Sequence, residues 1–117
     1  MSALAVADGA LAGVLAWYST HHVPFGAKPG VFAEFARVLA PGGYLLVGTH
    51  LSDPEQHTRP TEGYGGIPVA YESFLQPAEQ VAGLVRDAGL NIVTTLVEAR
   101  DDDKRRAHGC FLARKAA

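Results

Sequence analysis

The most constraining feature of the sequence is an uncharged stretch near its beginning. No Asp, Glu, Lys or Arg occurs between Asp8 and Lys28, and nearly every residue from Leu11 to Tyr18 is apolar. This run is shorter than the ~20 residues that a membrane-spanning helix needs. Asp8 precedes it without a basic segment, which is unlike a signal peptide. The pattern therefore predicts a strand that is buried on both faces, as in a parallel sheet.

Composition predicts one globular domain over residues 1–117. The chain is 48% hydrophobic with a formal net charge of -2, so it can bury a core and lacks the basic surface typical of nucleic-acid binding. We expect neither a nucleic acid nor a membrane as partner. The single cysteine, Cys110, excludes an internal disulfide framework and allows a reducing compartment, and we expect a cytoplasmic location. Its apolar surroundings favour a small core residue over a nucleophile.

Periodicity and turn residues predict a strand–helix–strand unit followed by one more helix and two more strands. A helix should open at Pro29 and Gly30 and bury the face that carries Phe32 and Phe35. The sequence Pro41-Gly42-Gly43 should end that helix. The later predicted elements are a second strand at 44–49, a loop at 52–66, an extended stretch at 67–74, a helix from Pro77 to Ala88, a strand at 90–99, a charged hairpin tip at 100–106 and a strand at 109–113.

Polar residues follow both strands of the first unit, from Ser19 to His22 and from His50 to Asp53. Ligands of open α/β sheets bind outside the carboxyl ends of parallel strands, where these residues should lie. A histidine there can act as a general base near neutral pH. Polar residues also gather wherever a strand meets solvent, and position alone does not separate the two interpretations. If the loop is extended, side chains alternate, so His22 should face the cleft and His21 should point away.

A metal centre and a phosphate loop are both disfavoured. The candidate metal ligands are His21, His22 and His50 with Asp53 or His57. Adjacent histidines on one loop rarely both reach one ion, and the sequence has no HExxH spacing. The glycines at 63–66 lack a preceding strand and the GxGxxG spacing, so we interpret them as a flexible bend in a lid. The aromatic pair that ends the first strand suits a core or a cofactor wall equally well.

Two runs of sequence resemble a known family. They are DGALAGVLAWYS from Asp8 to Ser19 and FARVLAPGGYLLV from Phe35 to Val47, separated by a short loop that contains histidines. Together they resemble class I S-adenosylmethionine-dependent methyltransferases, of the type 11 kind that acts on small molecules. The run RVLAPGGYLLV is the most specific signal. The resemblance covers nearly the whole chain but only the carboxyl-terminal half of the family's domain.

The resemblance implies an α/β fold, namely a truncated Rossmann-like methyltransferase fold. Its mixed sheet should have about four strands in the family order 4-5-7-6, with the last strand antiparallel and two main helices. It also implies S-adenosylmethionine as cofactor and a small molecule as methyl acceptor. By matching position, Trp17, Tyr18 and Ser19 would line the methionine end of the cofactor. His22 or His21 would face the acceptor and take its proton.

One part of the family's pattern is missing from these residues. In the family, a Gly-rich loop after the first strand and an acidic residue after the second hold the cofactor, and no such loop occurs here. We therefore expect weak cofactor binding and impaired activity for this chain alone.

Without the family's upstream strands, the first predicted strand would have a neighbouring strand on one side only. A long, uncharged strand edge pairs readily with another chain. We expect a homo-oligomer formed through Leu11 to Tyr18. The alternative function is a non-catalytic association module that uses this strand.

Overall fold

The computed structural model describes residues 4–58, 72–99 and 106–117, which form a four-stranded mixed sheet, a small two-stranded sheet and two α-helices. In chain order the elements are β1 (Leu11–Trp17), α1 (Lys28–Val38), β2 (Leu39–Ser52), β3 (Gln56–Thr58), β4 (Ser73–Leu75), α2 (Ala78–Asp87), β5 (Asn91–Ala99) and β6 (Arg106–Arg114). Two short 3-10 turns, Thr20–His22 and Phe25–Ala27, connect β1 to α1.

The order of strands in the main sheet is β1-β2-β6-β5. β1 and β2 are parallel, and β6 runs antiparallel to both of its neighbours. A separate pair, β3 and β4, is antiparallel. This arrangement confirms the α/β fold and the strand order 4-5-7-6 that the family resemblance implies.

The core lies between the two helices and one face of the main sheet. Its buried side chains include Val31, Phe32 and Phe35 of α1, Val81 and Val85 of α2, and Leu45, Val47 and Phe111 of the sheet. The predicted apolar faces of both helices are therefore confirmed. None of the helices in the described residues is long and apolar enough to cross a membrane.

The opposite face of the sheet is open, so the prediction that the first strand is buried on both faces is wrong. Leu15 and Trp17 are 66% and 53% exposed, and Leu96 of β5 is 61% exposed. Within β1, Ala16 alone is buried, because both helices pack against the face on which it lies. Cys110 is partly exposed as well, so its interpretation as a core residue is also wrong.

The Pro-Gly-Gly sequence does not end a helix but lies inside β2. α1 ends at Val38, and β2 begins at the next residue. Leu11 pairs with Leu39 and Gly13 pairs with Tyr44, so residues 40–43 bulge opposite a single residue of β1. Gly42 allows this bulge because its φ is +82°, a conformation that side chains disfavour.

Other boundaries differ from prediction by a few residues. β2 continues to Ser52, β3 forms within the predicted loop, and Pro77 precedes α2 rather than starting it. The predicted bend at 63–66 and residues 100–105 of the predicted hairpin tip lie outside the described residues. Residues 67–71 of the predicted extended stretch also lie outside them.

Arg37 fixes the beginning of the described chain against α1. Its guanidinium donates to Glu34 and Asp8, both at 2.7 Å, and to the carbonyls of Leu4 and Val6. The hydrogen bonds from Arg37, and then from the Leu4 amide, lower the pKa of Glu34 to about 2. These contacts position the segment that leads into β1.

Candidate active site

The carboxyl ends of β1 and β2 meet at the predicted site. Trp17 pairs with Gly48 in the parallel register, and its indole packs across that glycine. A Cβ at Gly48 would lie 2.5 Å from the indole ring, so any side chain there would displace Trp17. Tyr18 follows with a φ of +53°, and its amide donates to the Gly48 carbonyl at 2.6 Å. A left-handed backbone at a bulky residue is strained, and such strain often occurs at functional sites.

Five rings gather at this edge of the sheet, and we call them the histidine cluster: Tyr18, His21, His22, His50 and His108. The ring centroid of His50 lies 4.9 Å from Tyr18 and 4.8 Å from His108. His21 lies 5.0 Å from His50 and 4.0 Å from His22. The cluster therefore contains both predicted catalytic histidines and the predicted cofactor-wall residue Tyr18.

The predicted alternation of His21 and His22 is wrong. They lie in a 3-10 turn rather than an extended chain, which brings their rings to the same side. His21 is buried and His22 is exposed. The Nδ1 atom of His21 has no hydrogen-bond partner among the described residues. Burial lowers the pKa of His21 to about 4, with smaller effects from His22, His50 and Lys28, so the ring is neutral at pH 7.

His22 has a defined tautomer in its neutral form. Its Nδ1 atom lies 2.9 Å from the main-chain carbonyl oxygen of Glu72. A carbonyl can only accept, so Nδ1 carries the hydrogen and donates it. The lone pair of the neutral ring is then on Nε2. A backbone carbonyl that orients one nitrogen of a histidine in this way prepares the other nitrogen to accept a proton.

His108 is a member of the histidine cluster that the sequence patterns did not indicate. β6 runs antiparallel to β2 and places His108 directly opposite His50, and Nδ1 of His108 lies 3.3 Å from the Tyr18 hydroxyl. An open cleft of about 370 Å³ begins here and is lined by Tyr18, Leu96, Glu98, His108 and Cys110. Among the residues that the structure describes, no group of three or more His, Cys, Asp or Glu is placed to hold a metal ion.

Comparison with known proteins assigns the family. Residues 2–95 match the family described as a methyltransferase domain, which is more than half of the chain. The protein belongs to this methyltransferase domain family. No curated protein matches the chain.

Solved structures share the fold over almost all of this chain. A SAM-dependent methyltransferase from Methanosarcina mazei is 15% identical with a TM-score of 0.81, and the match covers 98% of this chain and 64% of that one. The 1,6-didemethyltoxoflavin-N1-methyltransferase of Burkholderia thailandensis, solved with its substrate and S-adenosylhomocysteine, is 20% identical with a TM-score of 0.74. That match covers 99% of this chain and 48% of the other.

A third similar structure is the [4+2]-cyclase SpnF, which is 16% identical with a TM-score of 0.70. The match covers 99% of this chain and 53% of that one. Identities this low show the fold alone, and the cyclase shows that one fold serves more than one reaction. This chain thus spans between about half and two thirds of the length of these three proteins.

Proposed function

We propose that this protein transfers a methyl group from S-adenosylmethionine to a small molecule, as the carboxyl-terminal half of a methyltransferase-like domain. Membership of the methyltransferase domain family supports the reaction class. The observation that carries the residue assignment is the hydrogen bond from His22 Nδ1 to the Glu72 carbonyl, which places the lone pair of the neutral ring on Nε2.

The last residue of β1 and the two that follow it suit one end of the cofactor. S-Adenosylmethionine supplies an electrophilic methyl group on a positively charged sulfur, and aromatic faces attract such cations. Trp17 is half-exposed and Tyr18 stands edge-on to it, with ring centroids 5.0 Å apart. In this proposal Trp17, Tyr18 and Ser19 line the methionine end.

His22 is the proposed general base. Its Nε2 would take the proton from the acceptor's O–H or N–H group as that oxygen or nitrogen bonds to the methyl carbon. The methyl–sulfur bond would break in the same step, with its electron pair kept by the sulfur of the departing S-adenosylhomocysteine. His21 is the weaker choice because burial lowers its pKa to about 4. A neutral His21 instead packs against His22 without adding a like charge.

Two substitutions at His22 separate a base from a structural residue. His22→Asn keeps an N–H donor for the Glu72 carbonyl but has no basic lone pair, whereas His22→Ala loses both. We expect both variants to lower kcat by about 100-fold, while His22→Asn keeps a melting temperature closer to that of the wild type. The assay uses the product of the complete gene that contains these residues, with methyl-labelled S-adenosylmethionine and a panel of small hydroxyl and amine acceptors.

The opposite pattern would remove His22 from the mechanism. If His22→Asn restores the wild-type rate, the hydrogen bond to Glu72 is the only role of this residue. Absence of both cofactor binding and labelled product in the wild type would contradict the proposed reaction itself.

The second candidate function is an association module, and one observation favours it. Among the described residues β1 lies at the edge of the sheet, bonded to β2 on one side, and Leu15 and Trp17 project from it into solvent. In this proposal β1 pairs with β1 of a second copy. Light scattering tests it, and a single species of 12.4 kDa at high concentration would contradict it.

A further inference from the structure

Lys28, the first residue of α1, is an unusual lysine. It is 4% exposed, and lysine is rarely buried so completely unless it is paired. Its ammonium donates to the Phe74 carbonyl at 2.6 Å and to Oε1 of Gln76 at 2.9 Å. It also lies 5.2 Å from the ring centroid of Phe25. Phe25 is close to Lys28 in sequence, whereas Phe74 and Gln76 belong to a segment that is distant from it.

This position is unfavourable for a positive charge. Burial lowers the pKa of Lys28 to about 8, although the Glu55 carboxylate acts in the opposite direction. The first turn of a helix also favours negative rather than positive charge. The hydrogen bonds to Phe74 and Gln76 must offset these costs. The role of Lys28 is therefore inferred from the segment that it binds rather than from a gain in folding stability.

Lys28 and His22 bind the same short segment, residues 72–76. His22 donates to the carbonyl of Glu72 and Lys28 donates to the carbonyl of Phe74. In an extended chain, carbonyls two residues apart point to the same side. Ser73, Phe74 and Leu75 all pair with β3, which is the neighbouring strand of this segment. The segment is therefore held by His22, Lys28 and β3.

The other end of the segment is attached to the sheet. The Ser52 amide donates to the Gln76 carbonyl at 3.2 Å, while the Gln76 side chain accepts from Lys28. Without the ammonium, the segment would keep its contacts at Ser52 and β3. It would also keep the contact of 3.2 Å between Nε2 of His57 and the Glu72 carboxylate. What it would lose are the two hydrogen bonds from Lys28, to the Phe74 carbonyl and to the Gln76 side chain.

We propose that Lys28 is a positioning residue for His22: it holds residues 72–76 in place so that the Glu72 carbonyl keeps the hydrogen on Nδ1 of His22. The link to catalysis rests on the proposed function, whereas the link to the tautomer of His22 does not. Lys28 acts through this segment and is not assigned any contact with the substrate.

The tautomer of His22 can be measured directly by NMR of the labelled imidazole ring, at a pH where the ring is neutral. In unstructured histidine the hydrogen resides mainly on Nε2, so an Nδ1–H signal reports the contact with Glu72. We expect Lys28→Met to shift the population of His22 several-fold toward the Nε2–H form. Lys28→Arg keeps a cationic donor and should restore much of the Nδ1–H form.

Lys115 provides a matched control. Its ammonium also donates to two carbonyls, those of Ala36 and Leu39, both at 2.8 Å, but neither acceptor belongs to the segment at 72–76. Lys115→Met should lower the melting temperature and leave the tautomer of His22 unchanged. An equal shift in both variants would mean that general loosening, rather than Lys28, controls His22.

A second variant keeps the proposal testable if Lys28→Met does not fold. Gln76→Met removes one acceptor of Lys28 and leaves the lysine in place, so the tautomer of His22 should shift in the same direction by a smaller factor. A folded Lys28→Met or Gln76→Met protein with the wild-type tautomer ratio would overturn the proposal.

In the methyl-transfer assay, Lys28→Met should lower kcat by about 10- to 100-fold with little change in KM, as expected for a misplaced base. If the tautomer shifts but no variant, including the wild type, turns over, the positioning role stands and the proposed function fails.

Discussion

Among the single residues, His21 shows how burial changes the chemistry of a side chain. Its pKa is about 4 in the folded protein against an ordinary value of 6.5. Between these values the unfolded chain binds a proton that the folded chain does not, so stability rises with pH across this range. We expect the free energy of unfolding to fall as the pH drops from 7 to 4, with His21 accounting for at most about 3 kcal/mol.

Comparison with His21→Leu isolates this contribution, because the other titrating groups are common to both proteins. Urea unfolding at pH 7 and at pH 4.5 should show a smaller loss of stability for the variant than for the wild type. The same pH dependence in both proteins would contradict the assignment.

The histidine cluster also shows what sequence could and could not predict at this scale. Turn residues and the end of an apolar run located His21, His22 and His50 at one edge of the sheet. His108 could not be found, because its position opposite His50 depends on the register of an antiparallel pair that is distant in sequence. The relative orientation of His21 and His22 failed because a three-residue 3-10 turn is too short to leave a periodic pattern.

The types of the main helices and strands were predictable because periodicity reflects burial, but their ends were not. The faces of α1 and α2 follow the predicted spacing. The Pro-Gly-Gly sequence was misread because Gly42 can support either a helix end or a bulge. The choice between them depends on the pairing of β2 with β1, which is a tertiary contact.

The edge strand β1 leads to a prediction about self-association. If copies of the protein pair through β1, Leu15→Lys should reduce the mass seen by light scattering to 12.4 kDa, since charge on an edge strand opposes pairing. Leu15 is 66% exposed, so the substitution should change the free energy of unfolding by less than about 0.5 kcal/mol.

Leu96→Lys is the control at the other edge of the sheet. Leu96 is 61% exposed and lies on β5, so its substitution should leave pairing through β1 intact. If Leu96→Lys dissociates the protein and Leu15→Lys does not, the association uses a different surface.

Considered as a whole molecule, the described chain is a sheet with helices on one face and exposed leucines and aromatic rings on the other. Sequence resemblance predicted the strand order, because the order of motifs along the chain follows the family. The apolar run of β1 predicted burial on both faces, and this prediction failed because an apolar side chain carries no information about what packs against it. The matches cover 64% and 48% of the length of two solved methyltransferases.

The incomplete match also leads to a prediction about the cofactor. The resemblance assigns most polar contacts with S-adenosylmethionine to a Gly-rich loop that these 117 residues lack. Trp17, Tyr18 and Ser19 would supply one wall only. We therefore expect the 117-residue chain to bind the cofactor no more tightly than the millimolar range, which corresponds to about 4 kcal/mol of binding free energy. Calorimetry that gives a tight, stoichiometric isotherm would contradict this expectation.

Trp17 is the only tryptophan and is 53% exposed, so its fluorescence reports separately on the proposed wall. It should change as millimolar cofactor is added to the wild type. Unchanged fluorescence despite calorimetric binding would place the cofactor elsewhere on the protein.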